Sequence, residues 1–264
     1  MAKKKKRIIT TKGFGFNQQK LDAGLTKFDR YFYEKRLSEA FAQLRALGES
    51  YRDHPDVLVR WCLLYQEVGD YQQCLQMCDR YLTVKPDDPE MLIMRGSACL
   101  SNFFIAAAVQ TFRDLLQRYP NFKQADDVRK TIAEMQPMAE AEVEAIGLGG
   151  ENGLELLALH EEAQIALIKK EYEVAHQLEE RILEHHPGFP PALNSISQTH
   201  WLEGNVQQAI AVSQQVVEQH PDNVYALASL VEYYYLNGDE ETARQYLTDF
   251  GSHSSSKTGA APSG

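Results

Sequence analysis

At 264 residues, 44% hydrophobic and 24% charged, the chain has enough apolar content to fold and is too polar for a membrane protein. No run approaches the ~18 apolar residues of a spanning helix, and the N-terminus lacks the apolar stretch of a signal peptide, so no membrane span and a cytoplasmic location are expected. The net charge of −10 is uneven: removing Lys3 to Lys6, Arg7 and Lys12 leaves −16 on the rest, and an acidic body repels phosphate backbones, which argues against a specific nucleic-acid partner.

Residues 1–19 read as a basic disordered tail that aids solubility. The alternatives are a localisation signal or a weak contact with nucleic acid or an anionic surface. From residue 20 a period of 34 takes over. Ala40, Cys74 and Ala108 are 34 apart, as are Pro86 and Pro120. In the first unit, about 21 to 55, Phe28, Tyr31, Ala40, Leu44 and Leu47 are in phase, but Pro55 comes three residues late, so the second helix is expected to run on by nearly a turn. In the second unit Leu58, Trp61, Cys62 and Tyr65 recur at helical spacing, and Gly69 and Asp70 break the run. A second helix with Tyr71, Cys74, Leu75, Cys78, Tyr81 and Leu82 on one face then stops at Pro86. The third unit keeps Leu92, Gly96, Cys99, Ala108, Phe112, Leu115 and Pro120, with Phe103 where a turn glycine is expected. All four cysteines, Cys62, Cys74, Cys78 and Cys99, fall on apolar helix faces and read as reduced core residues.

The pattern fades over residues 122–153. Pro137 falls where a second helix would begin, so Lys123 to Met135 and Met138 to Ile146 are predicted as a degenerate helix pair. Gly147, Gly149, Gly150 and Gly153 follow, and are predicted to form a flexible joint between two halves. Over residues 154–250 the period returns, with Ala175, Ala209 and Ala243 34 apart and Pro187 and Pro221 likewise. Residues 251–264, mostly Ser, Gly, Ala and Pro, read as a disordered tail or a linker.

A fixed period of this length marks an array of repeats in which stacked neighbours supply the core. The residues at each position, from Trp61, Tyr65, Gly69-Asp70-Tyr71, Cys74, Tyr81 and Pro86 through Leu227, Tyr234, Gly238-Asp239, Ala243, Leu247 and Phe250, resemble the tetratricopeptide repeat over roughly residues 20 to 250. The resemblance implies an all-α fold: a right-handed α-solenoid of antiparallel helix pairs, with about five recognisable repeats plus one degenerate pair in 122–153. Residues 20–121 form the N-terminal array and 154–250 the C-terminal one.

No catalytic, metal or cofactor motif stands beside the repeats. The glycines at 147 to 150 lack a preceding strand and a following Lys-Ser/Thr, so they do not make a phosphate loop, and His160-Glu161-Glu162 lacks the second histidine of a zinc-protease helix. The expected function is a non-enzymatic scaffold or adaptor for a protein or peptide partner. The alternative is the N-terminal regulatory array of a larger, enzymatic protein. In the resembled family the first helix of each unit lines the groove, which places His160, Gln164, Asn194, Gln198, Trp201, Tyr225, Glu232 and Tyr235 there. Amides suit a peptide backbone and Trp or Tyr gives contact area with a polar tip. The competing reading is that Trp201 and Tyr235 only seal the next repeat. Family members that clamp a C-terminal carboxylate use Lys and Asn on first helices, and these are not present as a set.

Overall fold

The computed structural model describes the backbone of residues 17–257 and the side chains of residues 17–251. The expectations for the basic tail before residue 17 and for the tail beyond 257 lie outside the described residues. Two compact units divide the chain, Met1–Met135 and Gln136–Gly264. The described residues form helices and turns, with no strand among them.

The first unit contains three helix pairs: α1 (Gln18–Tyr33) with α2 (Leu37–Tyr51), α3 (Pro55–Glu67) with α4 (Tyr71–Val84), and α5 (Pro89–Ser101) with α6 (Ile105–Arg118). Helix α1 starts two residues before the expected boundary at 20 because Asn17 caps it, its side chain accepting from the Lys20 amide at 2.9 Å. Pro55 does not end α2; it is the first residue of α3, as Pro89 is of α5. A proline at that position loses no hydrogen bond, since the first-turn amides have no helical partner. Pro55 therefore belongs with Pro89, one period on, and α2 stops by itself at Tyr51.

The 34-residue beat is visible where paired helices touch. Ala40, Cys74 and Ala108 are 0%, 1% and 0% exposed, each on the second helix of a packed pair. Gly96 on α5 serves the same need from the other side, because a Cβ there would overlap the Phe112 ring of α6. The four cysteines are buried free thiols, with Sγ of Cys78 3.7 Å from Sγ of Cys62.

Each pair turns in the same way. Lys35, Gly69 and Phe103, 34 apart, have φ of 58°, 75° and 64°, and Lys170, Gly204 and Gly238 in the second unit have 61°, 81° and 86°. At each turn the residue with positive φ donates its amide to the carbonyl three back, and its successor donates to the carbonyl five back. For Phe103 these bonds reach Leu100 at 3.0 Å and, from Phe104, Cys99 at 2.9 Å. This left-handed helix cap favours glycine because other residues strain there. Phe103 is 84% exposed, so its side chain contributes little packing. Phe103→Gly is expected to stabilise the first unit by about 1 kcal/mol, read as a higher urea midpoint with an unchanged slope.

The segment expected as a degenerate pair is one helix, α7 (Ala125–Ala145), with Pro137 inside it. Proline removes its own bond to the Ala133 carbonyl and crowds that carbonyl, but the flanking Ala, Glu, Met and Gln are strong helix formers with no turn residue among them. The boundary between the units falls within α7, not at the glycines. The glycine stretch lies inside the second unit, where Leu148 is fully buried and a Cβ on Gly153 would overlap Val143 and the Leu148 carbonyl.

The second unit holds three further pairs: α8 (Gly153–Ile168) with α9 (Tyr172–His185), α10 (Pro190–Leu202) with α11 (Val206–Gln219), and α12 (Val224–Leu236) with α13 (Glu240–Lys257). Ala175, Ala209 and Ala243 sit at the close-approach position, 0%, 0% and 4% exposed. Helix α13 runs past residue 250, where a tail was expected. Among the described residues no helix is long and apolar enough to cross a membrane.

Candidate functional site

In the second unit the first helices α8, α10 and α12 lie side by side, with α10 touching both neighbours. Between them is a cavity of about 870 Å³. Helix α8 contributes His160 and Gln164; α10 contributes Asn194, Gln198 and Trp201; α12 contributes Tyr225, Ser229, Glu232 and Tyr233. Apart from Tyr233, which follows Glu232 directly, these residues are three, four or seven apart along their helices, the spacing that keeps side chains on one face. They also repeat across helices: Gln164, Gln198 and Glu232 are 34 apart, as are Ser195 and Ser229. A cavity lined by the first helices of consecutive 34-residue pairs, each turning through the same left-handed cap, gives this unit the fold of a tetratricopeptide-like array.

No family model matches the sequence, and no curated protein matches it. Solved structures do. MamA 41-end from Desulfovibrio magneticus RS-1 is 16% identical, with 76% of this chain and 96% of that one covered and a TM-score of 0.40. PilW, a type IV pilus biogenesis factor, is 16% identical over 87% and 91%, at 0.36. The P58(IPK) TPR domain is 15% identical over 89% and 61%, at 0.40.

Seven of the eight residues expected in a tetratricopeptide groove line the cavity: His160, Gln164, Asn194, Gln198, Trp201, Tyr225 and Glu232. Tyr235 does not, and is 60% exposed. It holds the Trp201 position of the next pair, one period on. Trp201 is covered because Tyr233 of the following first helix stacks on it at 4.5 Å between ring centroids, whereas among the described residues no first helix follows α12. Trp201 serves both readings of that residue, since it lines the cavity and also packs on the cluster of Ala209, Ile210, Leu230 and Tyr233.

Ser195, Ser229, Tyr233, Pro190 and Pro191 also line the cavity, and sequence reasoning missed them. The period itself carries the signal: Pro191 precedes Tyr225, and Ser195 precedes Ser229, by 34 residues.

Much of the lining is apolar, with Ile146, Pro190, Pro191, Trp201 and Leu202 in it, and its polar groups are largely satisfied. His160 Nδ1 lies 2.9 Å and 3.1 Å from the two oxygens of Glu179 on α9. Glu179 is 1% exposed, and burial pushes its carboxyl above the ordinary range while His160 pulls the other way. Gln164 Nε2 donates to Ser195 Oγ at 2.6 Å, and Asn194 Nδ2 donates to Asn223 Oδ1 at 3.3 Å. Burial also raises the Tyr233 hydroxyl pKa. One acceptor is left over: Asn194 Oδ1 is buried with no hydrogen-bond partner, which in a native structure calls for an explanation.

Proposed function

We propose that the chain is a protein-interaction scaffold whose second unit holds an extended segment of a partner polypeptide along α8, α10 and α12. It works by binding, without catalysis. The observation that carries this reading is the set of amide side chains, Gln164 on α8 and Asn194 and Gln198 on α10, in the lining of a cavity shared with Tyr225 and Trp201. A primary amide both donates and accepts, so such a set pairs with the alternating N–H and C=O groups of an extended backbone whatever its sequence. Trp201 and Tyr233 supply the apolar floor that anchors a side chain. His160 and Glu179 are an acid and a base, but each is engaged with the other and Glu179 is out of reach of a substrate. The reduced, buried cysteines suit the cytoplasm.

Photo-crosslinking tests this reading. With p-benzoylphenylalanine in place of Gln198, which is exposed on α10, irradiation in cell extract is expected to join a partner polypeptide through one short segment. The same group in place of Gln208, exposed on the second helix α11, is expected to join none. Equal crosslinking at both positions, or none at 198, overturns it.

A further inference from the structure

Resting on that peptide-binding reading, we propose that the cavity selects a basic peptide and seats one Lys or Arg side chain against Glu232, in a wall shared with Tyr225 and Trp201.

Three observations meet here. The position occupied by Gln164 on α8 and Gln198 on α10 is occupied by Glu232 on α12, so an otherwise neutral ladder ends in a carboxylate. Glu232 is exposed and has no ion-pair partner among the described residues. No Lys or Arg is among the residues lining the cavity, and its one histidine faces Glu179. A bound anionic group therefore meets a carboxylate with no counter-charge, whereas a cation meets Glu232 in a lining that also holds the Tyr225 and Trp201 side chains. A cation over Trp or Tyr is attracted by the ring quadrupole, and more so once water is excluded. A charge-assisted hydrogen bond to the carboxylate adds a directional component that a neutral side chain cannot match. The net charge of the chain acts in the same sense, drawing a basic segment toward it before contact.

The test uses a displayed library of random heptapeptides, each flanked by Gly-Ser, selected on the intact chain. The expected outcome is a family of peptides with Lys or Arg at one fixed position. A synthetic peptide of the selected sequence should bind roughly tenfold more tightly than its Arg→Gln counterpart. With Glu232→Gln, an exposed substitution whose fold is checked by its melting curve, the two peptides should bind alike. Selected peptides that are neutral or acidic throughout, or an Arg-to-Gln ratio that Glu232→Gln leaves unchanged, overturn this proposal while the peptide-binding reading stands. If no selected peptide loses binding to the Gln198→Ala, Tyr225→Ala double variant, the peptide-binding reading itself fails, and this proposal with it.

Discussion

His160→Phe is expected to destabilise the second unit by about 3 kcal/mol at pH 7, because it removes the histidine partner of a buried carboxyl and leaves it only the Ser195 hydrogen bond. Glu179 is 1% exposed and His160 Nδ1 lies 2.9 Å from it. Phenylalanine keeps an aromatic ring beside Phe189, whose ring centroid is 6.1 Å from that of His160, so the loss isolates electrostatics from packing. Burial raises the Glu179 pKa and His160 lowers it, so the variant raises it further. A carboxyl whose folded pKa is raised favours folding fully below its unfolded value, and that contribution is lost as pH climbs through the folded value. The variant should therefore recover stability as pH falls from 7 toward the ordinary carboxylate range. Adding Glu179→Gln to His160→Phe should recover stability at pH 7 and almost none in acid, where Glu179 already holds its proton. Urea unfolding followed by circular dichroism measures both. A His160→Phe deficit that is the same at every pH, and that Glu179→Gln does not reduce, would mean that the histidine acts through packing alone.

That pair shows where reading the sequence stops. The 34-residue period places Ala40, Cys74, Ala108, Ala175, Ala209 and Ala243 at close helix contacts because only a short side chain fits there, and all six are buried. Period also locates the cavity walls, since a residue that faces a groove in one pair faces it in the next. What period does not carry is the partner of each polar group. Glu179 stands on the buried face of its second helix, four residues after Ala175 and three before Ile182, but only the packing of α9 on α8 brings it to His160. Pro137 misleads for a related reason: proline reads as a helix start, and the local sequence does not say that its strong helix-forming neighbours carry α7 through it. Tyr235 fails because the period describes interior repeats, and the last described pair has no following first helix to cover that position. The 147–153 glycines were legible as a loop but not as part of the second unit, which depends on the burial of Leu148.

The scaffold reading stands or falls on the cavity. Trp201 is a poor probe of it because its ring also holds Tyr233, so truncation mixes lost stability with lost binding. Gln198 and Tyr225 are cleaner. Both line the cavity, both are exposed, and Tyr225 is 74% accessible. Truncating an aromatic anchor at an interface commonly costs at least about 2 kcal/mol, or some thirtyfold in affinity. Exposed substitutions away from the core usually shift stability by less than about 0.5 kcal/mol. The decisive measurement is the affinity of the crosslinked partner segment for the intact chain and for the Gln198→Ala, Tyr225→Ala double variant, with the melting temperature of each. The account predicts at least a roughly thirtyfold weaker Kd with melting unchanged to within a few degrees; an equal Kd for the two proteins would contradict it.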